Sequence, residues 1–338
     1  MLVYIVVLII VGSSWFILQM ANGNYDIIKD FITYQIRLFT TEDAGHGGFF
    51  LYHVVILFIG VFPASIFALP TLFGSILELY RSKSMGLWMR ILFWVVLILF
   101  SIVDTKIVHY SSLAYFPLTF LASKLIYRII QEKRVFRKYQ KTLLIIVSFV
   151  FSAAVILITI IGKYKDKLPL EKWFASDPFA LANLQADVHW TGFEMLIGII
   201  YFSVFLFIMF GTKKSLPRIV GLFAVTIFFT YATILFITPR IEGYTQRAAI
   251  EFYEELEDDD VYLATLGFKS YAHLYYSRMQ PGDSRASDSQ WLLEGEIDKP
   301  AYFVFKIHHE ERYLDKYPQL EKLYDKNGFV FAKRIVND

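Results

Sequence analysis

The chain has 338 residues, 56% of them hydrophobic and 18% aromatic, with a mean hydropathy of +0.47. That is richer than the 45–50% or so of ordinary soluble domains and reads as an α-helical, polytopic integral membrane protein. A formal charge of +2 is too near neutral to point to nucleic acid, and the absence of cysteine excludes disulfides and thiolate metal sites.

A membrane-crossing helix needs about 20 mainly apolar residues. Seven segments qualify as candidates: 2–20, 49–73, 88–103, 111–130, 142–162, 192–210 and 219–237. The first has neither a basic start nor a small-x-small cleavage site, so it reads as a span and not as a signal peptide. The segment 21–48 carries Ile27, Ile28, Phe31, Ile32, Ile36 and Phe39 at helical spacing, the pattern of an amphipathic helix lying at the interface. The span 88–103 is short and depends on its flanks. Between it and the next comes SIVDTKIVHYSSLAYFP (101–117), in which Asp104, Lys106 and His109 interrupt the apolar pattern and Pro117 follows soon after. The loop 163–191 holds Trp173, Phe174, Phe179 and Trp190, aromatics suited to the headgroup zone.

Basic residues set the orientation. Segments 74–90, 128–141 and 211–218 hold twelve Lys or Arg; segments 21–48, 104–110 and 163–191 hold seven over a greater length. The first set is expected in the cytoplasm and the tail after Ile237 outside, in a bacterial inner membrane. The division of the chain is then 1–237, the membrane domain, and 238–338, a small extracytoplasmic α/β domain. In the latter, Thr245–Leu256 and Glu310–Tyr317 read as helices. Val261–Leu266, Tyr302–Lys306 and Phe329–Ile335 read as strands.

The chemistry-bearing residues cluster on the expected outer side: Arg37, Lys106, His109 and Tyr110, with His46. Arg offers a planar fork to phosphate oxygens, Lys a compact charge, and Tyr a hydroxyl donor. Together they suit a phosphate carried on a lipid; the same residues also suit ordinary interfacial anchoring. No HExxH or EF-hand pattern occurs, so no metal is required. If a divalent ion is bound, His46 is the expected ligand. Asp258 to Asp260 read as a solvated helix end. Sparse charge within the spans, where Glu194 sits near one end, argues against an ion-coupled transporter.

These residues carry a resemblance. Ser14-Trp15-Phe16, Arg37-Leu38-Phe39, His46 through Gly47-Gly48-Phe49-Phe50 to Tyr52-His53, Phe62-Pro63-Ala64, Ser101 through Thr105-Lys106 to His109-Tyr110, and Tyr115-Phe116-Pro117 follow one another in order. The set resembles the polyprenyl-phosphate-sugar-dependent glycosyltransferases of the GT-C fold. The likeness is to the bacterial protein-mannosyltransferase and aminoarabinose-transferase group, whose C-terminal half this chain matches. Tyr275-Tyr276 in the tail is similar too. Gly48 stands where the family often has Pro, and Ala64 where Trp is common.

The resemblance implies inverting transfer of a sugar from a polyprenyl-phosphate donor to an extracytoplasmic acceptor. An acidic base takes the acceptor's proton and cations stabilise the leaving phosphate. It implies the phosphate-binding role for Arg37, Lys106, His109 and Tyr110. The acidic loop of the family lies in its N-terminal half, so the chain reads as a truncated product or as one half of a split enzyme whose base comes from a separate N-terminal half, and Glu42 and Asp43 do not replace it by position. The alternative is a non-catalytic membrane protein that binds polyprenyl phosphate or a partner subunit.

Overall fold

A computed structural model describes residues 2–41, 47–74, 85–132, 136–279 and 288–335. His46, Glu42 and Asp43 lie outside the described residues. The chain forms two compact units, Met1–Gln140 and Lys141–Asp338. The compositional boundary at residue 237 falls inside the second.

In the first unit, α1 (Leu2–Gly12) and α2 (Ser14–Ala21) form a bent pair with an angle of 42°. α3 (Tyr25–Thr40) is the expected amphipathic helix. It meets α2 through Phe31, whose ring lies 5.4 Å from Trp15 and 5.8 Å from Phe16. α4 (Tyr52–Gly60) and α5 (Ala64–Leu72) follow, then α6 (Met85–Ile102). A 3-10 turn, Val108–Ala114, leads into α7 (Tyr115–Ile130). Pro117 sits in the first turn of α7, where its missing N–H would have no partner anyway.

The core of this unit lies between α5 and α7. Ala64, Ser65 and Ala68 on α5 and Ala114 and Ala122 near α7 let the backbones approach, while Ile66, Phe67 and Leu121 fill the space and are fully buried. Buried Arg90 on α6 donates Nη1 to Gly74 O at 2.8 Å and Nη2 to Thr71 O. It thereby occupies carbonyls that the end of α5 leaves without helical donors.

In the second unit, α8 (Lys138–Tyr164, beginning just ahead of it), α11 (Met195–Gly211) and α12 (Ser215–Phe236) are the apolar helices. Between α8 and α11 run α9 (Leu170–Trp173) and α10 (Pro178–Leu184), and α13 (Thr238–Thr245) follows α12. A polar network joins these ends. Glu194 accepts from Thr191 Oγ1 at 2.9 Å and Gly192 N at 2.8 Å, and pairs with Arg240 at 2.6 Å. Arg240 lies 5.6 Å over Trp190, whose Nε1 donates to Tyr244 Oη at 3.0 Å. Gly162 is needed there, because a Cβ would overlap the Trp190 indole.

The tail is a four-stranded sheet in the order β1-β2-β4-β3: β1 (Tyr262–Leu266), β2 (Ala301–Lys306), β3 (Glu321–Lys326) and β4 (Phe329–Arg334). β1 and β2 are parallel and the other pairs antiparallel. Strand alternation sorts the side chains. Ala264, Leu266, Phe303, Phe305, Val330 and Ala332 face a core with Leu292 and Leu293 of α16 (Ser289–Glu294) and Leu314 of α17 (Glu310–Lys316). Leu263, Val304, Phe329 and Phe331 face Ala248, Ala249, Phe252 and Tyr253 of α14 (Arg247–Glu255). The remaining helix, α15 (Ala272–Tyr276), follows β1.

All seven expected apolar segments are helical, with a difference in length. Among the described residues four helical stretches are long and apolar enough to cross a membrane, or five if the bent pair counts as one span. The segment 49–73 is two nine-residue helices, broken across Val61–Pro63 because Pro63 lacks an N–H and restricts the residue before it. α11 has 17 residues, about 26 Å, a little short of a bilayer's hydrocarbon core. Among the described residues, the short helices α9, α10, α15 and α16 and the strand β3 are not expected from the sequence.

Candidate functional site

The apolar pattern fails at residues 103–107, and the backbone there finds partners outside its own helices. Asp104 N donates to Phe39 O at 3.2 Å and Thr105 N to Leu38 O at 3.4 Å. Thr105 Oγ1 donates to Thr41 O at 2.7 Å. Three bonds therefore stitch the C-terminal end of α3 to the break after α6. They join Arg37-Leu38-Phe39 to Asp104-Thr105-Lys106 across more than 60 residues of sequence. Unpaired backbone groups are expensive in a low-dielectric zone, which is why the break and the helix end satisfy one another.

Arg37 is exposed, with its guanidinium 5.0 Å from the Tyr34 ring. Lys106 is buried. Its Nζ donates to Phe100 O at 3.3 Å, to Ser101 O at 2.8 Å and to Val103 O. An ammonium has three N–H groups, and here all three meet carbonyls at the end of α6. Burial draws the Lys106 ammonium below its ordinary range, and Asp104 opposes that. The stem of Lys106 packs on Gly48, where a Cβ would lie 2.9 Å from Cγ and 3.2 Å from Cβ of the lysine. Gly48 thus leaves the room that Lys106 fills.

Phe100 organises the other members. Tyr110 lies 5.4 Å from its ring, and His109 meets Tyr110 edge-on at 5.2 Å. His109 is exposed and Tyr110 half-buried. His53 lies 6.1 Å from Phe100 and edge-on to Tyr52 at 5.1 Å. His53 is fully buried, and neither of its ring nitrogens has a hydrogen-bond partner.

The sequence-expected residues thus share one locality: Arg37 on α3, Lys106 at the break, His109 and Tyr110 on the 3-10 turn. The role seen for Lys106 is to cap a helix. His53 escaped sequence reasoning as a member; its only signal was its place at the end of the Gly48–His53 stretch. Among the described residues no three His, Asp or Glu side chains gather as a metal site, and His46 lies outside them.

No family model and no curated protein matches the chain. Solved structures do. One is ArnT from Cupriavidus metallidurans bound to undecaprenyl phosphate, with a TM-score of 0.54 and 14% identity over 99% of this chain and 61% of that one. The fold is ArnT-like. ArnT in the apo state matches with a TM-score of 0.52 and 12% identity over 99% of this chain and 60% of that one. ArnT is a GT-C fold glycosyltransferase, so the fold expected from the ordered residues is the fold found. The chain spans about three fifths of the length of these ArnT structures. Its apolar helices and its ArnT-like fold make it an integral membrane protein.

Proposed function

We propose that this chain binds a polyprenyl-phosphate lipid and serves the donor side of a membrane glycosyltransferase. In the reaction, a base removes the acceptor hydroxyl's proton and the oxygen attacks the anomeric carbon of the lipid-linked sugar. The bond from that carbon to the phosphate oxygen breaks and its electrons stay on the phosphate. The residues of this chain act at that last point. Arg37, His109 and Tyr110 supply hydrogen-bond donors to the phosphate, and Lys106 adds its charge from behind. The observation that carries the reading is the stitching of the Arg37 helix end to the Lys106 break. It gathers cationic and hydroxyl groups at an interruption between spans, on the fold of a protein crystallised with undecaprenyl phosphate. We further propose that residues 1–237 lie in the bacterial inner membrane with 238–338 on its outer side, as the basic loops favour.

The second reading is a non-catalytic binding protein, favoured by the full engagement of the Lys106 ammonium with main-chain carbonyls. Where that protein binds polyprenyl phosphate, both readings predict lipid-phosphate binding and turnover separates them; where it binds a partner subunit, the lipid binding itself is lost.

The test is binding of undecaprenyl phosphate to the full chain in neutral nanodiscs. Arg37→Ala should weaken it roughly ten- to a hundredfold, the worth of one charge-assisted contact. Arg37→Lys should lose affinity as well, because a point charge cannot replace a bidentate fork. Unchanged affinity in both variants would sink the proposal. A tag after Asp338 that is accessible only from the cytoplasm would overturn the topology.

A further inference from the structure

The C-terminal sheet holds a second gathering of polar groups, which the lipid-phosphate reading does not use. β1 and β2 are neighbours and parallel, paired from Tyr262↔Ala301 to Leu266↔Phe305, so both strands end at the same edge. The segments that follow the two strands, from Gly267 and from Ile307, therefore leave the sheet side by side.

β1 runs into Gly267, whose φ of +74° is left-handed backbone that suits glycine. A Cβ at that position would lie 2.8 Å from Cδ2 and 3.2 Å from Nε2 of His309, and 2.9 Å from the Tyr313 hydroxyl. An imidazole nitrogen, a phenol and the end of β1 therefore meet within a single atom's reach. β2 ends in Lys306, whose ammonium lies 4.6 Å over Phe179 and 6.0 Å over Phe268. The chain then turns through His308 and His309, with rings 4.1 Å apart.

The charges that act on His309 have one sign. Burial holds the His309 imidazole below its ordinary range, and His308, Arg312 and Lys306 each push it the same way. Glu310 starts the following helix, but its carboxylate is paired with Lys322 at 2.5 Å. The two imidazoles meet edge-on beside Lys306 and Arg312, and the fixed positive charge of those two side chains favours an anion among them. A neutral imidazole and a phenol are also the uncharged donors that complete an oxyanion's hydrogen bonds.

We propose that the carboxyl ends of β1 and β2 form a phosphate-binding site in which His309 and Tyr313 contact the anion, with His308 beside them, and Lys306 and Arg312 supply the charge. The ligand is a phosphate group, either free in solution or on a lipid headgroup. The site belongs to the C-terminal sheet alone and stands independently of the Arg37 locality.

The test uses the full chain, labelled at histidine Cε1 with carbon-13, in nanodiscs of neutral phosphatidylcholine. Inorganic phosphate is titrated near neutral pH, with the His309 resonance assigned by His309→Gln. A saturable shift of the His308 and His309 resonances is expected. Arg312→Gln should weaken the binding about tenfold. Tyr313→Phe keeps the ring packed 5.2 Å from Phe305 and should weaken it severalfold. Lys172→Gln, at an exposed cation outside the site, should leave it unchanged. Discs containing phosphatidylglycerol, without added phosphate, form the second arm. Shifts of the same two resonances there and none with free phosphate would assign the anion to a lipid headgroup. Still resonances in both arms, up to about 10 mM phosphate, would overturn the proposal. So would equal effects of Arg312→Gln and Lys172→Gln.

Discussion

Lys106→Met separates the two roles open to this residue. Methionine keeps most of the stem that fills the space beside Gly48 and removes the ammonium. The carbonyls of Phe100, Ser101 and Val103 then lose a donor at the end of α6, where helix carbonyls have no internal partners. A hydrogen bond to a charged group contributes about 1.5–3 kcal/mol, but these three share one cation and their worth does not add. Burial of the ammonium offsets part of it, and the apolar sulfur recovers about 1 kcal/mol. The net local loss comes to about 2–3 kcal/mol. Hydrogen exchange of the 103–110 amides in detergent reads this directly, as a roughly 30- to 150-fold loss of protection. Lys172→Met, at an exposed cation on α9, should change nothing. If Lys106→Met leaves protection within about threefold of the native protein yet abolishes lipid-phosphate binding, the carbonyl cage is not structural and the argument fails.

Three further outcomes follow from the second unit. Arg240→Met leaves Glu194, whose side chain is only 5% exposed, with an unpaired charge, and should lower stability by about 3 kcal/mol in thermal unfolding. Adding Glu194→Gln should cost much less than the two single losses summed, and strict additivity would refute the coupling. Gly162→Ala pushes the Trp190 indole off Tyr244 and should cost about 2 kcal/mol or more, seen with a shift in tryptophan emission; native stability and emission would refute it. Burial lowers His273 and His309 from the ordinary 6.5. The unfolded chain then takes up protons first as pH falls, so the sheet should lose stability from about pH 6.5 downward and gain nothing above it. Exchange measured across that range should flatten in His273→Gln and His309→Gln; an unaltered slope would exclude both residues.

The sheet shows which physics is legible in a sequence. β1, β2 and β4 bury both faces, so their apolar runs mark them. β3 is an exposed edge strand whose Glu321, Lys322, Asp325 and Lys326 read as loop. Its signal lay in the turn: Asn327 and Gly328 have φ of +49° and +84°, the Asn-Gly pair that closes two-residue hairpins. The site divides in the same way. Lys106, His109 and Tyr110 stand out because they break an apolar pattern, whereas the partners of the Lys106 ammonium depend on where the α6 carbonyls point. Composition does not encode that. Nor does it encode the burial of His53 without partners, since an imidazole in an apolar run looks the same whether or not its nitrogens are satisfied.

The cage also ranks the cations of the site. A helix C-terminus carries about half a negative charge, so an ammonium seated on it presents only a fraction of its field to a ligand. An anion near Lys106 would feel that residual charge without a hydrogen bond, because the three donors are spent on carbonyls. Arg37 sits one turn before the end of α3, exposed. Its own helix end is held in place by Asp104 and Thr105. Binding should therefore fall more in Arg37→Ala than in Lys106→Met, while local stability should fall more in Lys106→Met. Measured on the same preparation by lipid-phosphate affinity and by exchange at 103–110, the two variants should cross over. The opposite order, with Lys106 dominating affinity and Arg37 dominating protection, would mean that the ammonium leaves its carbonyls when the lipid arrives.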